Sequence, residues 1–157
     1  MATRSSSFGT LTSSDACAAA TYNQASVGVI GYYKLTANTT GTTTTENAAS
    51  LTAVPVNGSR LIRITGTGTM RATAASGLQA QILEDGVALA RLNFYTTASS
   101  LDAAFHIEAL SNAPSAGNHA YTLVDGVSGG GGATVNVIAS STTPCYLIVE
   151  DVGPNFT

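Results

Sequence analysis

The sequence predicts an all-β chain: an antiparallel β-sandwich, jelly-roll-like, preceded by an extended N-terminal arm. Three observations lead there. Short apolar segments recur roughly every 8 to 15 residues from Val27 onward, separated by Gly, Asn, Asp, Ser or Pro clusters, which is the spacing of a sandwich or barrel. No segment sustains the 3.6-residue period of an amphipathic helix. The polar share is carried by Thr, Ser and Asn rather than by charge, and Thr, branched at Cβ, packs well on a pleated surface.

Residues 1–26 are rich in Ser, Thr and Ala and show no periodicity beyond a short alanine run at Ala18, so they read as the extended arm. Residues 27–157 read as the domain. VGVIGYYKL (27–35) is the first strand and stops at the turn-prone ANTTG. The run TTGTTTTE (39–46) is too polar for a core and reads as a solvated loop or an exposed strand. LTAVPV (51–56) follows, and Pro55, which has no N–H to donate, marks an edge strand or a strand end. RLIRITGTG (60–68) comes after a turn at Asn57 and Gly58.

QAQILEDGVALARLNF (79–94) predicts a hairpin, because Asp85-Gly86 between apolar runs is a strong two-residue turn signal. In LDAAFHIEA (101–109) apolar Leu101, Ala103, Phe105, Ile107 and Ala109 alternate with Asp102, Ala104, His106 and Glu108, so His106 faces outward. HAYTLV (119–124), ATVNVIA (133–139) and CYLIVEDV (145–152) complete about nine strands by this reading. Two packed antiparallel sheets follow, of jelly-roll or immunoglobulin-like topology. The Cys-Trp-Cys pattern of antibody domains is absent, since the chain has no Trp.

At 157 residues the chain is long enough for one compact domain with its own core. Only 10% of residues are charged, against roughly a quarter in ordinary domains. Six Lys plus Arg against nine Asp plus Glu give a net charge of −3, so there is no basic footprint for nucleic acid. No apolar run is long enough to cross a bilayer, and MATRSSSFG (1–9) lacks the apolar stretch of a signal peptide. No membrane insertion is expected.

Catalytic chemistry finds little to build on. The available bases are His106 and His119; no Ser sits in a G-x-S-x-G elbow, and Cys145 lies within a strand that it helps to bury. Glu84-Asp85 is a turn pair and Glu150-Asp151 ends the last strand with its members on opposite faces, so neither pair suits glycoside hydrolysis. No loop gathers acids as a calcium site requires. Cys17 and Cys145 lack a C-x-x-C spacing and read as buried free thiols, with a disulfide tying the arm to the last strand as the alternative. SGGGG (128–132) precedes a strand rather than a helix and lies far from the single lysine, Lys34, so it reads as a hairpin connection and not as a phosphate loop. Tyr32, Tyr33, Tyr95 and Tyr121 are the aromatics that could stack on sugars. No catalytic, cofactor-binding or metal-binding residues are therefore expected.

Four stretches carry a family pattern: GYYKLTANTTG (31–41), GSRLIRITG (58–66), GNHAYTL (117–123) and LIVEDVGP (147–154). Together they resemble small virion proteins of tailed bacteriophages that infect actinobacteria. The resemblance spans about four-fifths of the chain, with VEDVGP its most distinctive part and residues 1–26 outside it. It implies a virion component, described in that family as a head decoration (minor capsid) or minor tail protein.

The leading expectation is a capsid decoration protein, made in the host cytoplasm and placed on the outer surface of the head. Its partners would be the major capsid protein and two further copies of itself in a homotrimer, with the arm ordered on the lattice. An extended Ser/Thr/Ala arm cannot bury enough of itself to fold alone. A minor tail or fibre protein that binds host surface glycan is the second expectation. A hydrolase using His106 or His119 is a third, open to test by mutation.

Overall fold

Alternation along each strand sets which side chains are buried, and the pairing of the strands sets the topology. The computed structural model describes residues 27–112, 114–129 and 132–154. The predicted arm and Cys17 lie outside the described residues. Nine strands are formed: β1 (Gly28–Leu35), β2 (Thr45–Val56), β3 (Arg60–Ala72), β4 (Ser76–Glu84), β5 (Val87–Thr96), β6 (Asp102–Asn112), β7 (Gly117–Gly129), β8 (Val135–Ile138) and β9 (Cys145–Pro154). Among the described residues no helix is long and apolar enough to cross a membrane.

All pairings are antiparallel. One sheet runs β1-β9-β3-β6 with β8 also on β3; the other runs β2-β7-β4-β5. β6 occupies one side of β3 from Leu61 to Arg71, so β8, which pairs with Thr69 to Ala72, must lie on the other side. That side is already taken by β9 from Arg60 to Thr67. β8 and β9 are thus two halves of one strand lying end to end along β3.

With those halves joined, the pairs nest: β1 with β8/β9, β2 with β7, β3 with β6 and β4 with β5. The chain is a long hairpin rolled into two four-column sheets, which is a jelly roll. The nesting settles the choice against an immunoglobulin-like topology.

The core lies between the sheets. Ile62, Ile64 and Met70 of β3 and Leu147 and Val149 of β9 join Leu78 and Ile82 of β4 and Tyr121 and Leu123 of β7 in it, all fully buried. The sheets approach closely at Gly66, where an added Cβ would lie 2.7 Å from Leu123 Cδ1. The predicted hairpin turns at Asp85 (φ 49°) and Gly86 (φ 81°), two consecutive positive values of the kind a type I′ turn needs. Pro55 sits on the edge strand β2, one residue from its end.

Two expectations are corrected. The hairpin expected around 128–132 is not formed: β7, which ends at Gly129, and β8, which starts at Val135, belong to different sheets. Sequence spacing cannot tell a hairpin from a crossing between sheets, since both need only a flexible turn. The run 39–46 is not wholly solvated either. Thr39 and Thr42 bond to the edge of β8, and Glu46 is partly buried at the start of β2.

Candidate functional site

One end of the sandwich holds a polar cluster built from three strands. β7 alternates inward with His119, Tyr121, Leu123 and Asp125, so polar groups sit at both ends of an otherwise apolar stripe. At the first end, His119 Nδ1 lies 2.7 Å from Asp85 Oδ2 and 3.9 Å from Glu84 Oε1, while Nε2 lies 2.9 Å from the Ser115 carbonyl. Both neighbours accept hydrogen bonds, so both ring nitrogens donate and the ring is an imidazolium. The Ser115 carbonyl, then Asp85 and Glu84, raise the His119 pKa against the opposing effect of burial. A ring with both nitrogens engaged in this way is not placed to take a proton from a nucleophile.

Asp85 is held by the backbone as well. Ala120 N–H donates to its Oδ1 at 2.8 Å, and this bond, aided by His119, lowers its pKa. Glu84 accepts from Tyr121 Oη at 2.8 Å and from Ser111 Oγ at 2.6 Å. Ser111 belongs to β6 in the opposite sheet, so Glu84 bridges the two sheets. Burial and the Glu84 carboxylate raise the Tyr121 pKa well above the usual phenol value. Glu84-Asp85, expected as a turn pair, is therefore split: Glu84 ends β4 and bridges inward, and Asp85 opens the turn and clamps His119.

His106 is exposed on the outer face of β6, as its alternation requires. Cys145 is a free, fully buried thiol, pushed up to about 12 chiefly by burial. Tyr121 is fully buried and so is removed from the sugar-stacking candidates, while Tyr32, Tyr33 and Tyr95 remain exposed. Among the described residues no group of three or more His, Cys, Asp or Glu is placed to hold a metal ion.

Glu150 and Asp151 do point to opposite faces, and each meets an arginine of β3. Arg63 reaches Glu150 at 2.9 Å on the outer face. Arg60 grips Asp151 at 2.8 to 2.9 Å inside, where Gly153 N–H also donates to the carboxylate. Sequence reading found the two acids and missed their arginine partners, although the spacing Arg60, Arg63 against Glu150, Asp151 is what antiparallel pairing of β3 with β9 produces.

Two surfaces remain. The first is the outer face at β1, the edge strand of its sheet. Tyr32 (54% exposed) lies opposite Ile148 of β9 and beside Tyr146, their ring centroids 5.8 Å apart, while Val29 (59%) lies opposite Glu150. Val27 and Val152, also exposed, extend this patch to the point where residue 26 joins the domain. The second is an open groove of about 410 Å³ on the other sheet, lined by Gly77, Asn93, Phe94, Tyr95, Ser128 and Gly129. Tyr95 stands exposed at this groove.

No protein-family model and no curated protein matches the chain. Similar solved structures do exist. Dimeric latent PorU from Porphyromonas gingivalis is similar at 10% identity and a TM-score of 0.47 over 82% of this chain, which spans 13% of that protein. A CBM36-1 domain of a multidomain xylanase from the hindgut metagenome of Trinervitermes trinervoides matches at 13% identity and a TM-score of 0.39, covering 74% of this chain and 96% of that one. The infectious bursal disease virus Gx strain structure matches at 12% identity and 0.37, covering 83% of this chain and 37% of that one. At these identities and TM-scores none of them carries an assignment to this chain.

Proposed function

We propose that this jelly roll is a non-enzymatic virion component, a head decoration (minor capsid) protein of a tailed bacteriophage. It binds the major capsid protein on the outer surface of the head, as a trimer, through the β1 edge and residues 1–26. The observation that carries this reading is the apolar patch on an edge strand. Edge strands offer unpaired N–H and C=O groups to another chain, and folded proteins usually guard them with charge or proline. β1 itself carries no proline and one charge, Lys34, with Glu150 of β9 opposite Val29; Val29 and Tyr32 on the strand and Val27 just before it are exposed.

Two further observations support it. The four sequence stretches that resemble actinobacteriophage virion proteins are spread across residues 31–154. Three arginines are also neutralised by acids, Arg60 by Asp151 in the interior and Arg63 by Glu150 and Arg71 by Asp102 on the surface, which leaves much of the surface to polar and apolar contacts.

The test is binding of the purified protein to particles lacking it. A chain without residues 1–25 should keep its melting temperature and lose particle binding. Retained binding would remove the arm from the account.

The groove at Tyr95 favours a second reading, a tail or fibre protein that binds host glycan. An exposed ring beside Asn93 and Ser128 offers a stacking face with polar groups next to it. Binding of the isolated protein to host cells, lost in Tyr95→Ala, is the result expected of that reading and not of the first.

A further inference from the structure

The inward stripe of β7 ends on Asp125, a fully buried acid with too few partners. Its Oδ2 accepts from Thr39 Oγ1 at 3.4 Å, while Oδ1 is sealed from solvent without a hydrogen-bond partner. Directly across the β2–β7 pairing stands Glu46, whose Oε1 is likewise sealed and without one. Residues opposite each other in an antiparallel pair share a face, with Cβ atoms about 4.5 to 5.5 Å apart. Cys145 of β9 is the other titratable group that feels Asp125. β4 sets Ala80 opposite it, and β8 contributes only the Val137 N–H.

Two carboxylates cannot both stay ionised in such a place, because burial and their mutual repulsion each favour the neutral acid. One proton satisfies both oxygens at once: Asp125 Oδ1 becomes a donor and Glu46 Oε1 accepts. We propose that a proton held on Asp125 and directed at the unpartnered Glu46 oxygen latches the overlying strap, residues 39–44, against β7 and β8.

The strap is tied down at successive points. Thr39 N–H donates to the Val137 carbonyl at 3.1 Å, and Val137 N–H donates to Thr39 Oγ1 at 2.9 Å. Thr42 and Val135 exchange two backbone bonds at 2.8 Å, and Val127 N–H reaches the Thr44 carbonyl at 2.8 Å. At Gly126 an added Cβ would collide with the Thr44 carbonyl oxygen, so only glycine lets the strap lie this close. The strap thereby covers the outer edge of β8. Burial, then the Glu46 charge, pushes the Asp125 carboxyl up to about 7, which puts its ionisation in the neutral range.

The sign follows directly. An acid whose pKa is higher in the folded state binds its proton more tightly there, so the latch holds at acid pH and weakens as pH rises towards about 7. The experiment is NMR on the full chain. The Asp125 carboxyl carbon should titrate near neutrality, and the protection factors of the Thr42, Val135 and Val137 amides should fall by about tenfold or more between pH 5.5 and 8.5. In Asp125→Asn, which keeps a donor opposite Glu46, those factors should not change with pH. In Glu46→Gln the Asp125 midpoint should drop. An Asp125 already ionised at pH 5, or wild-type protection unchanged with pH, would overturn the proposal. So would calcium chloride restoring protection at pH 8.5, because the two oxygens would then hold a cation rather than a proton.

Discussion

Replacing Tyr121 with Phe removes one of the two hydroxyls that hold Glu84, the acid that bridges the sheets through Ser111, and leaves the ring in place. The ring is fully buried and its hydroxyl donates to Glu84 Oε1 at 2.8 Å. Phe conserves the buried ring, so no cavity cost enters, and the loss is that of a hydrogen bond to a charged acceptor. Such bonds contribute about 1.5 to 3 kcal/mol. For a domain of this size each kcal/mol lowers Tm by about 2 to 4 °C, so Tyr121→Phe should melt roughly 3 to 12 °C below wild type. Thermal unfolding followed by circular dichroism at pH 6 measures this. Tyr32→Phe is the control: Tyr32 is 54% exposed, and its change should stay within about 0.5 kcal/mol. A Tyr121→Phe midpoint within about 1 °C of wild type, on the order of the control's scatter, would refute the claim that the Tyr121 hydroxyl holds Glu84 in the polar cluster.

Other consequences follow from the same geometry. The raised His119 pKa means that its contribution to stability is complete below its unfolded value of about 6.5 and is lost as pH rises through the folded value. His119→Gln should therefore flatten the decline of Tm above pH 6.5, and an unchanged slope would contradict the imidazolium assignment. Gly66→Ala places a methyl against Leu123 and should cost about 1 to 3 kcal/mol by overpacking, read as a lower urea midpoint with an unchanged m-value. In a Cys17→Ser background, Cys145 should resist a thiol reagent until the chain is unfolded, since it is buried and pushed up to about 12. Tyr32→Ser on the exposed edge should leave Tm nearly unchanged and abolish particle binding in a pelleting assay, whereas full binding would clear that patch of the role proposed for it.

The fold was largely legible because alternation and turn chemistry act locally. Asp85-Gly86 announced its hairpin, and the alternation around His106 placed that side chain outside. What remained hidden was relational. The nesting of strand pairs that makes this a jelly roll depends on partners far apart in the chain, and so does the end-to-end joining of β8 and β9 along β3.

The polar clusters were hidden for the same reason. Reading the seventh strand as ending at Val124 left Asp125 outside it, although Asp125 is in phase with the inward Tyr121 and Leu123. Glu46 closes a Thr run that looked solvated, and only pairing of β2 with β7 brings it opposite Asp125. Glu84 looked like a turn residue until β6 supplied Ser111 across the sandwich.

The stretches that carry the family resemblance also acquire physical reasons. GSRLIRITG and LIVEDVGP supply the two halves of the arginine–acid pairs between β3 and β9. GNHAYTL supplies His119, Tyr121 and Leu123 to the interior, and the strap begins within GYYKLTANTTG at Thr39. Those residues hold the domain together. The surface proposed to meet a partner is the edge of β1, where Val27, Val29 and Tyr32 are exposed.

The most direct test of the central claim is a density map of the whole particle that carries this protein. The account predicts three copies of the jelly roll grouped on the outer surface of the head, with the β1 edge and residues 1–26 against the major capsid protein. Density for the domain on the tail alone would contradict it.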